Sequence, residues 1–236
     1  YDVNGKKYLD GCSGSAVANI GHGNKEIAEY AKKQIERIAF THLSRWTVDT
    51  IEQCAAKISN WTPGDLNHVY FVSGGSESIE TAIKMARYYG FKQKNIPDGK
   101  QEIIVFNNNF HGRMTTVISF STQQKYRGGF GPLTPGFVSV EFGDLDAVKS
   151  AITENTCGIL VEPLQGEGGM RIPPVGFLRG LRRIADDNDL LLILDEIQVG
   201  LGRTGKNFCF EHEDIVPDGL VLGKALSGGL VPLSVF

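Results

Sequence analysis

From residue 68 onward the chain alternates short, mostly apolar runs with amphipathic stretches. This alternation constrains the fold more than any other feature. The runs are "HVYFV" (68–72), "EIIVF" (102–106), "CGILV" (157–161), "LLLIL" (190–194) and "GLVL" (219–222). Each is too short for a buried helix and apolar at successive rather than alternate positions, as in strands covered on both faces. The stretches "SIETAIKMARYYG" and "GFLRGLRRIADDND" between them read as helices. Short strands separated by helices imply an α/β fold with a mostly parallel sheet between helical layers.

Before residue 68 the style differs. "YDVNGKKYLDG" reads as a hairpin turning at Asn4-Gly5. "NKEIAEYAKKQIERIAF" places Ile27, Tyr30, Ala31, Ile35 and Ile38 on one helical face, and "TVDTIEQCAAKI" does the same with Val48, Ile51, Ala55 and Ile58. We therefore expect an N-terminal segment over 1–45 and a larger domain over 46–236.

Composition excludes several classes of function. The formal net charge is −3 and Lys and Arg are scattered, so no nucleic-acid or membrane-surface footprint is expected. No apolar run reaches the roughly 18 residues of a membrane span, and no signal-peptide pattern opens the chain. The four cysteines lie far apart without CxxC spacing, and the five histidines lack HxxxH spacing. The cysteines read as free thiols in a reducing compartment, so the expected location is cytoplasmic, with the mitochondrial matrix also compatible, and no metal site is expected. The chain opens on Tyr1 rather than Met and stops at Phe236 in an apolar stretch, and we read it as a piece of a longer protein.

In open parallel sheets, ligands bind beyond the carboxyl ends of the strands. Those ends carry "SGGSES", "NNNFHGR", "EPLQGEGG", "DEIQ" and "GKALSGG". The fourth stands out, because a deeply apolar strand ends there on Asp195 and Glu196. A buried, unpaired carboxylate costs several kcal/mol or takes up a proton, so a cationic partner is expected. Gly74, Gly75 and Ser76 lie where a helix begins, and free N–H groups with the positive end of the helix dipole make a phosphate seat. Plain helix capping by Ser76 is the alternative. Lys224 follows a strand and precedes small residues and two glycines. It is either a solvated charge or an amine placed to attack a carbonyl.

The segment "GLGRTGKN" matches GxGxxG and GxxxxGK literally. A dinucleotide fingerprint needs a strand feeding its first glycine and a helix starting inside it, whereas "DEIQV" intervenes and "NFCFEHEDIVPD" is a poor helix. A phosphate-binding P-loop needs Ser or Thr after the Lys, and Asn207 stands there. A Gly-rich surface loop fits better.

Taken together, a phosphate seat, an aldehyde-reactive Lys224, a buried Asp195 and the aromatic Phe110 at a strand tip match the needs of pyridoxal 5′-phosphate. Its ring nitrogen needs a carboxylate, its aldehyde a lysine amine and its ring face an aromatic. On this reading the cation facing Asp195 is the pyridinium.

The strings "SGGSESIETA", "FHGR", "VEPLQGEGG", "LDEIQVGLGRTG" and "GKALSGGLVP", in this order, resemble the class III (subgroup II) aminotransferases, a family with ornithine, acetylornithine, 4-aminobutyrate and ω-amino acid:pyruvate members. The resemblance implies the aspartate-aminotransferase-like fold (fold type I), incomplete at its C-terminus, and a homodimer. It implies that 1–45 is part of a small domain and that 46–236 is the cofactor-binding domain. It implies that Lys224 links covalently to the cofactor and shuttles a proton, Asp195 pairs with the ring nitrogen, Gln198 contacts the ring hydroxyl, Gly75 and Ser76 seat the phosphate, and Phe110 stacks on the ring. Arg113 would grip a substrate carboxylate, and Glu162 and Glu167 would line the substrate side. For Glu162 a structural role holding Gln198 is the alternative. The substrates would be an amino donor and a 2-oxo acid.

Ser15 stands where the ornithine enzymes carry Tyr, and Met114 follows "FHGR" where the family usually has Thr. These departures leave the donor open. Competing readings are a class III mutase, racemase or decarboxylase, a nucleotide-binding protein using the "GLGRTGK" loop, and a catalytically dead binding subunit.

Overall fold

The structure is a computed structural model and describes residues 1–42 and 44–236. Five strands form a parallel sheet in the order β3-β2-β4-β5-β6. They are β2 (Glu102–Phe106), β3 (Phe137–Val140), β4 (Thr156–Val161), β5 (Leu191–Asp195) and β6 (Gly219–Val221), and β1 (Phe71–Val72) precedes them. β1 pairs antiparallel with β7 (Ser234–Val235), and a bridge between Leu222 and Val235, also antiparallel, joins this pair to the end of β6. Because β1 and β6 both run against β7, β1 points the same way as the parallel strands. The carboxyl ends of six strands therefore face one side.

Five helices of seven residues or more are used below: α1 (Lys25–Arg37), α2 (Asp49–Trp61), α3 (Gly75–Lys92), α4 (Leu145–Ala151) and α5 (Phe177–Asp187). Their starts follow local chemistry. Asn24 caps α1 by accepting from Ile27 N, and Asp144 caps α4 by accepting from Asp146 N and Ala147 N. At α3 the Glu77 carboxylate reaches back to the N–H groups of Ser73 (2.8 Å) and Gly74 (3.2 Å).

The sheet separates two apolar layers by the period-2 alternation of its strands. Ile103 and Val105 of β2, Leu160 of β4 and Ile193 of β5 face α3, which meets them with Ile79, Ala82, Ile83 and Ala86 at helical spacing. Ile104, Phe106, Ile159, Val161, Leu192 and Leu194 face the other way, onto α4 and α5 through Val148, Phe177, Leu178, Leu181 and Ile184. Phe106, Phe142 and Phe177 form an edge-to-face cluster in that layer. Each such fully buried large side chain contributes about 1.5–3 kcal/mol by leaving water.

Two strands escape a reading by apolar runs. β3 is half-buried and carries Ser139, and β7 spans only Ser234–Val235. The N-terminal hairpin reduces to a turn, with Asp2 N donating to Lys6 O and Gly5 N to Asp2 O, and no flanking strands. Helix α1 forms where expected, but Tyr30 and Ile35 of its apolar face remain 71% and 66% exposed. Among the described residues no helix is long and apolar enough to cross a membrane.

Candidate functional site

A cavity of about 490 Å³ opens at the carboxyl ends of the strands. Each sequence segment reaches it from a different strand tip. Gly75 and Ser76 enter from the turn after β1, Phe110 from the loop after β2, and Glu162 from the residue after β4. Asp195 ends β5, Gln198 follows three residues on, and Lys224 follows β6. The backbone at Lys224 has φ +44°, a left-handed conformation that side-chain-bearing residues avoid and that clusters at functional sites.

Asp195 is 5% exposed, and each of its oxygens has one partner within the chain. Its Oδ1 accepts from Ile197 N at 3.0 Å, and its Oδ2 lies 2.7 Å from His111 Nδ1. A protein imidazole thus stands beside the acid, a partner that the sequence reading did not identify. The string "FHGR" contains His111, but nothing in the sequence links it to a residue 84 positions away. Burial alone disfavours the imidazolium, yet the hydrogen bond and charge of Asp195, with Glu162 nearby, outweigh it and raise the His111 pKa above its ordinary value. Its Nε2 is buried without a partner among the described residues.

Glu162 is the third member of this buried group, with donor atoms of His111, Glu162 and Asp195 all within 4.8 Å of one another. Its Oε1 accepts from Phe110 N at 2.7 Å, while Oε2 is buried and has no partner among the described residues. Burial pushes its carboxyl up to about 7, against the pull of His111. Glu162 therefore fixes the backbone of Phe110 rather than holding Gln198. Glu196 serves the fold: its two oxygens accept from Cys209 N (2.8 Å) and Phe210 N (2.9 Å), and burial pushes it up to about 7.

Ser76 is the second residue of α3, and Gly74 occupies the cap position. The Ser76 hydroxyl accepts from Arg113 N at 3.3 Å, which ties the turn after β1 to the loop after β2. Gly112 makes this approach possible: it has φ +123°, and a Cβ there would lie 1.9 Å from Ser76 Oγ.

Two residues expected at the substrate side are not part of this cavity's lining. Arg113 is exposed, with its guanidinium 4.4 Å from the Tyr126 ring centre and 5.5 Å from that of Phe110, so cation–π attraction holds it outside the cavity lining. Glu167 is exposed on the turn that joins Gln165 to Arg171. The "GLGRTGK" stretch is a series of turns, with Lys206 Nζ donating to Glu211 O, and no helix starts inside it.

The residues present fit pyridoxal 5′-phosphate. The N–H groups that head an α-helix lack intrahelical acceptors, and here they belong to Gly75 and Ser76 at the cavity wall. The same wall carries the Lys224 amine, the Asp195 carboxylate and an aromatic face at Phe110.

The class III aminotransferase profile ("Aminotransferase class-III") matches residues 1–236. Ornithine aminotransferase 1 of Staphylococcus aureus is 44% identical over 234 residues, covering 99% of this chain and 59% of that protein. Ornithine aminotransferase of Staphylococcus carnosus is 43% identical over 234 residues, covering 99% of this chain and 58% of that protein. The chain thus spans well under two thirds of these relatives' length. Among solved structures, the ornithine aminotransferase of Toxoplasma gondii ME49 superposes with a TM-score of 0.94 at 35% identity, over 100% of this chain and 55% of that one. Another structure of the T. gondii enzyme has partial occupancy of PLP at its active site. An (S)-enantioselective ω-transaminase from Thermomicrobium roseum gives 0.93 at 34% identity, over 100% of this chain and 57% of that one. With its whole length matched by one family profile and its fold shared with these enzymes, this chain belongs to the class III aminotransferases.

Proposed function

We propose that this chain is the cofactor-binding part of a pyridoxal-phosphate-dependent aminotransferase that moves an amino group from an amino acid or ω-amino compound to a 2-oxo acid. The observation that carries the reading is the convergence of Lys224, Asp195, Phe110 and the Gly75–Ser76 turn on one cavity. Ornithine is the first donor to test, on the strength of the relatives' names.

Bound pyridoxal phosphate supplies an aldehyde for amine exchange and a ring that withdraws electrons from the substrate Cα. The chain's own groups do the rest. Lys224 Nζ would be the amine that holds the cofactor and the base that moves a proton at the substrate Cα. Asp195 would hold a proton at the ring nitrogen, with His111, bonded to Oδ2, orienting that carboxylate. The α3 N-terminus anchors the phosphate through Gly75 and Ser76. Phe110, held through its N–H by Glu162, presents its ring to the cofactor. Gln198, in the cavity lining, would contact the ring hydroxyl. Arg113, exposed on its aromatic platform, would be the group that grips a substrate carboxylate.

A homodimer located in the cytoplasm or the mitochondrial matrix belongs to the same proposal. The exposed apolar side chains of Tyr30, Ile35, Phe40 and Trp46 support the dimer, and four free cysteines support a reducing compartment.

The test is borohydride reduction of the full-length protein with pyridoxal phosphate, followed by peptide mass spectrometry. A cofactor-sized adduct on the Lys224 peptide is expected. An adduct on Lys206 instead would move the site to the "GLGRTGK" loop and overturn the assignment.

A further inference from the structure

Two buried hydroxyls join the turns that carry the phosphate seat and the reactive lysine. Ser78 Oγ and Ser234 Oγ are 2.8 Å apart, and both residues are 0% exposed. Ser78, on the first turn of α3, also places its hydroxyl 2.8 Å from Gly75 O. Ser234, on β7, reaches Leu222 O, two residues before Lys224. Two hydroxyl protons serve three contacts, so the chain is polarised one way at a time. Leu222 O also receives Val235 N at 2.9 Å and stays satisfied in either direction.

Ile197 fills the adjacent space. A Cβ on Gly75 would lie 2.9 Å from its Cδ1, and a Cβ on Gly223 would lie 3.3 Å from its Cγ2 and 3.0 Å from Ser234 Oγ. Ile197 N in turn donates to Asp195 Oδ1. The phosphate turn, the lysine turn and the Asp195 tip therefore rest on one floor. Stability alone does not call for hydroxyls here, since Ala is a better helix former than Ser at position 78 and burying a hydroxyl is unfavourable until it is bonded.

We propose that Ser78 and Ser234 are positioning residues that set the separation between the Gly75–Ser76 phosphate seat and Lys224. The inference rests on the cofactor reading above. Pyridoxal phosphate is gripped at both ends, and a rigid ligand of fixed length benefits from both grips only when their spacing is held to about 0.5 Å. The hydroxyl chain, with Ile197 beside it, supplies that spacing.

Pyridoxal, which has the same ring and aldehyde but no phosphate, separates this role from a merely structural one. Dissociation constants for pyridoxal phosphate and pyridoxal are measured on the full-length protein. Wild type is expected to prefer the phosphorylated form. Ser234→Ala and Ser78→Ala are each expected to cut that preference about tenfold, the size of one hydrogen bond, while pyridoxal affinity stays within about threefold. Ser119→Ala removes a different buried hydroxyl, one that bonds Thr115 O and Thr134 N, and is expected to leave the preference unchanged. If Ser234→Ala does not fold, Ser78→Ala carries the test, because Ala suits its helical site. Equal losses for the two compounds, or a preference that survives both substitutions, overturn the inference alone. A wild-type protein that neither distinguishes the compounds nor forms a borohydride-fixed bond at Lys224 overturns the cofactor reading and this inference with it.

Discussion

His111 Nδ1 lies 2.7 Å from Asp195 Oδ2, with both side chains buried where β5 ends. The strand delivers a carboxylate into an apolar layer, and the loop after β2 delivers the group that compensates it. Removing one partner of a buried pair leaves the other uncompensated. His111→Phe is therefore expected to destabilise the cofactor-free protein by about 3 kcal/mol, read from urea unfolding. A change below about 1 kcal/mol would mean that the pair is not maintained in solution.

Asp195→Asn tests the same group from the other side. Asn still accepts at one position, so the fold is expected to persist while the negative charge proposed to face the ring nitrogen is lost. Single-turnover transamination is expected to slow by about 10²–10³, the usual effect of removing one preorganised electrostatic partner. A rate within about threefold of wild type would rule out Asp195 as the ring-nitrogen partner.

Gly112→Ala should damage the phosphate seat from outside it. The new methyl collides with Ser76 Oγ, and φ +123° is strained for alanine. We expect a loss of about 1–3 kcal/mol in stability together with weaker binding of pyridoxal phosphate than of pyridoxal. Unchanged phosphate dependence would show that Ser76 does not need its present position.

Glu162 and Glu196 predict an unusual pH dependence. Both carboxyls are raised by burial from 4.5 to about 7, so the folded chain binds more protons than the unfolded chain between those values. Their stabilising contribution is complete below pH 4.5 and is lost as pH rises through about 7. His111, also raised, adds to the loss at the upper end of that window. Each group contributes a slope of at most about 1.4 kcal/mol per pH unit. Glu162→Gln keeps an acceptor for Phe110 N and removes one titration, among neighbours His111, Asp195 and Lys224. Urea midpoints of the cofactor-free protein at pH 5 and pH 7 should differ less in this variant than in wild type. An unchanged difference would contradict the raised Glu162 value.

Arg113→Ala is expected to leave pyridoxal phosphate affinity within about threefold and stability within about 1 kcal/mol, because the guanidinium is exposed on its aromatic stack. A large rise in KM for the 2-oxo acid, with cofactor affinity unchanged, would place this arginine on the substrate.

The features legible in the residues alone were local or periodic. Runs such as "EIIVF" and "LLLIL" state that their strands are covered on both faces, because an exposed face would show polar residues at alternate positions. The order of strand tips then places Lys224, Asp195, Phe110 and the Gly75–Ser76 turn on one edge, since parallel strands all point their carboxyl ends the same way. The rest depends on pairs distant in the chain, which only packing brings together. His111 meets Asp195 across 84 positions, and Ser78 meets Ser234 across 156. No periodicity encodes such meetings, which arise where the turn after one strand packs on the end of another. The placements of Arg113 and Glu167 belong to the same class. A side chain's direction at a strand tip is set by what surrounds it: an aromatic pair for Arg113, and the outward turn between Gln165 and Arg171 for Glu167.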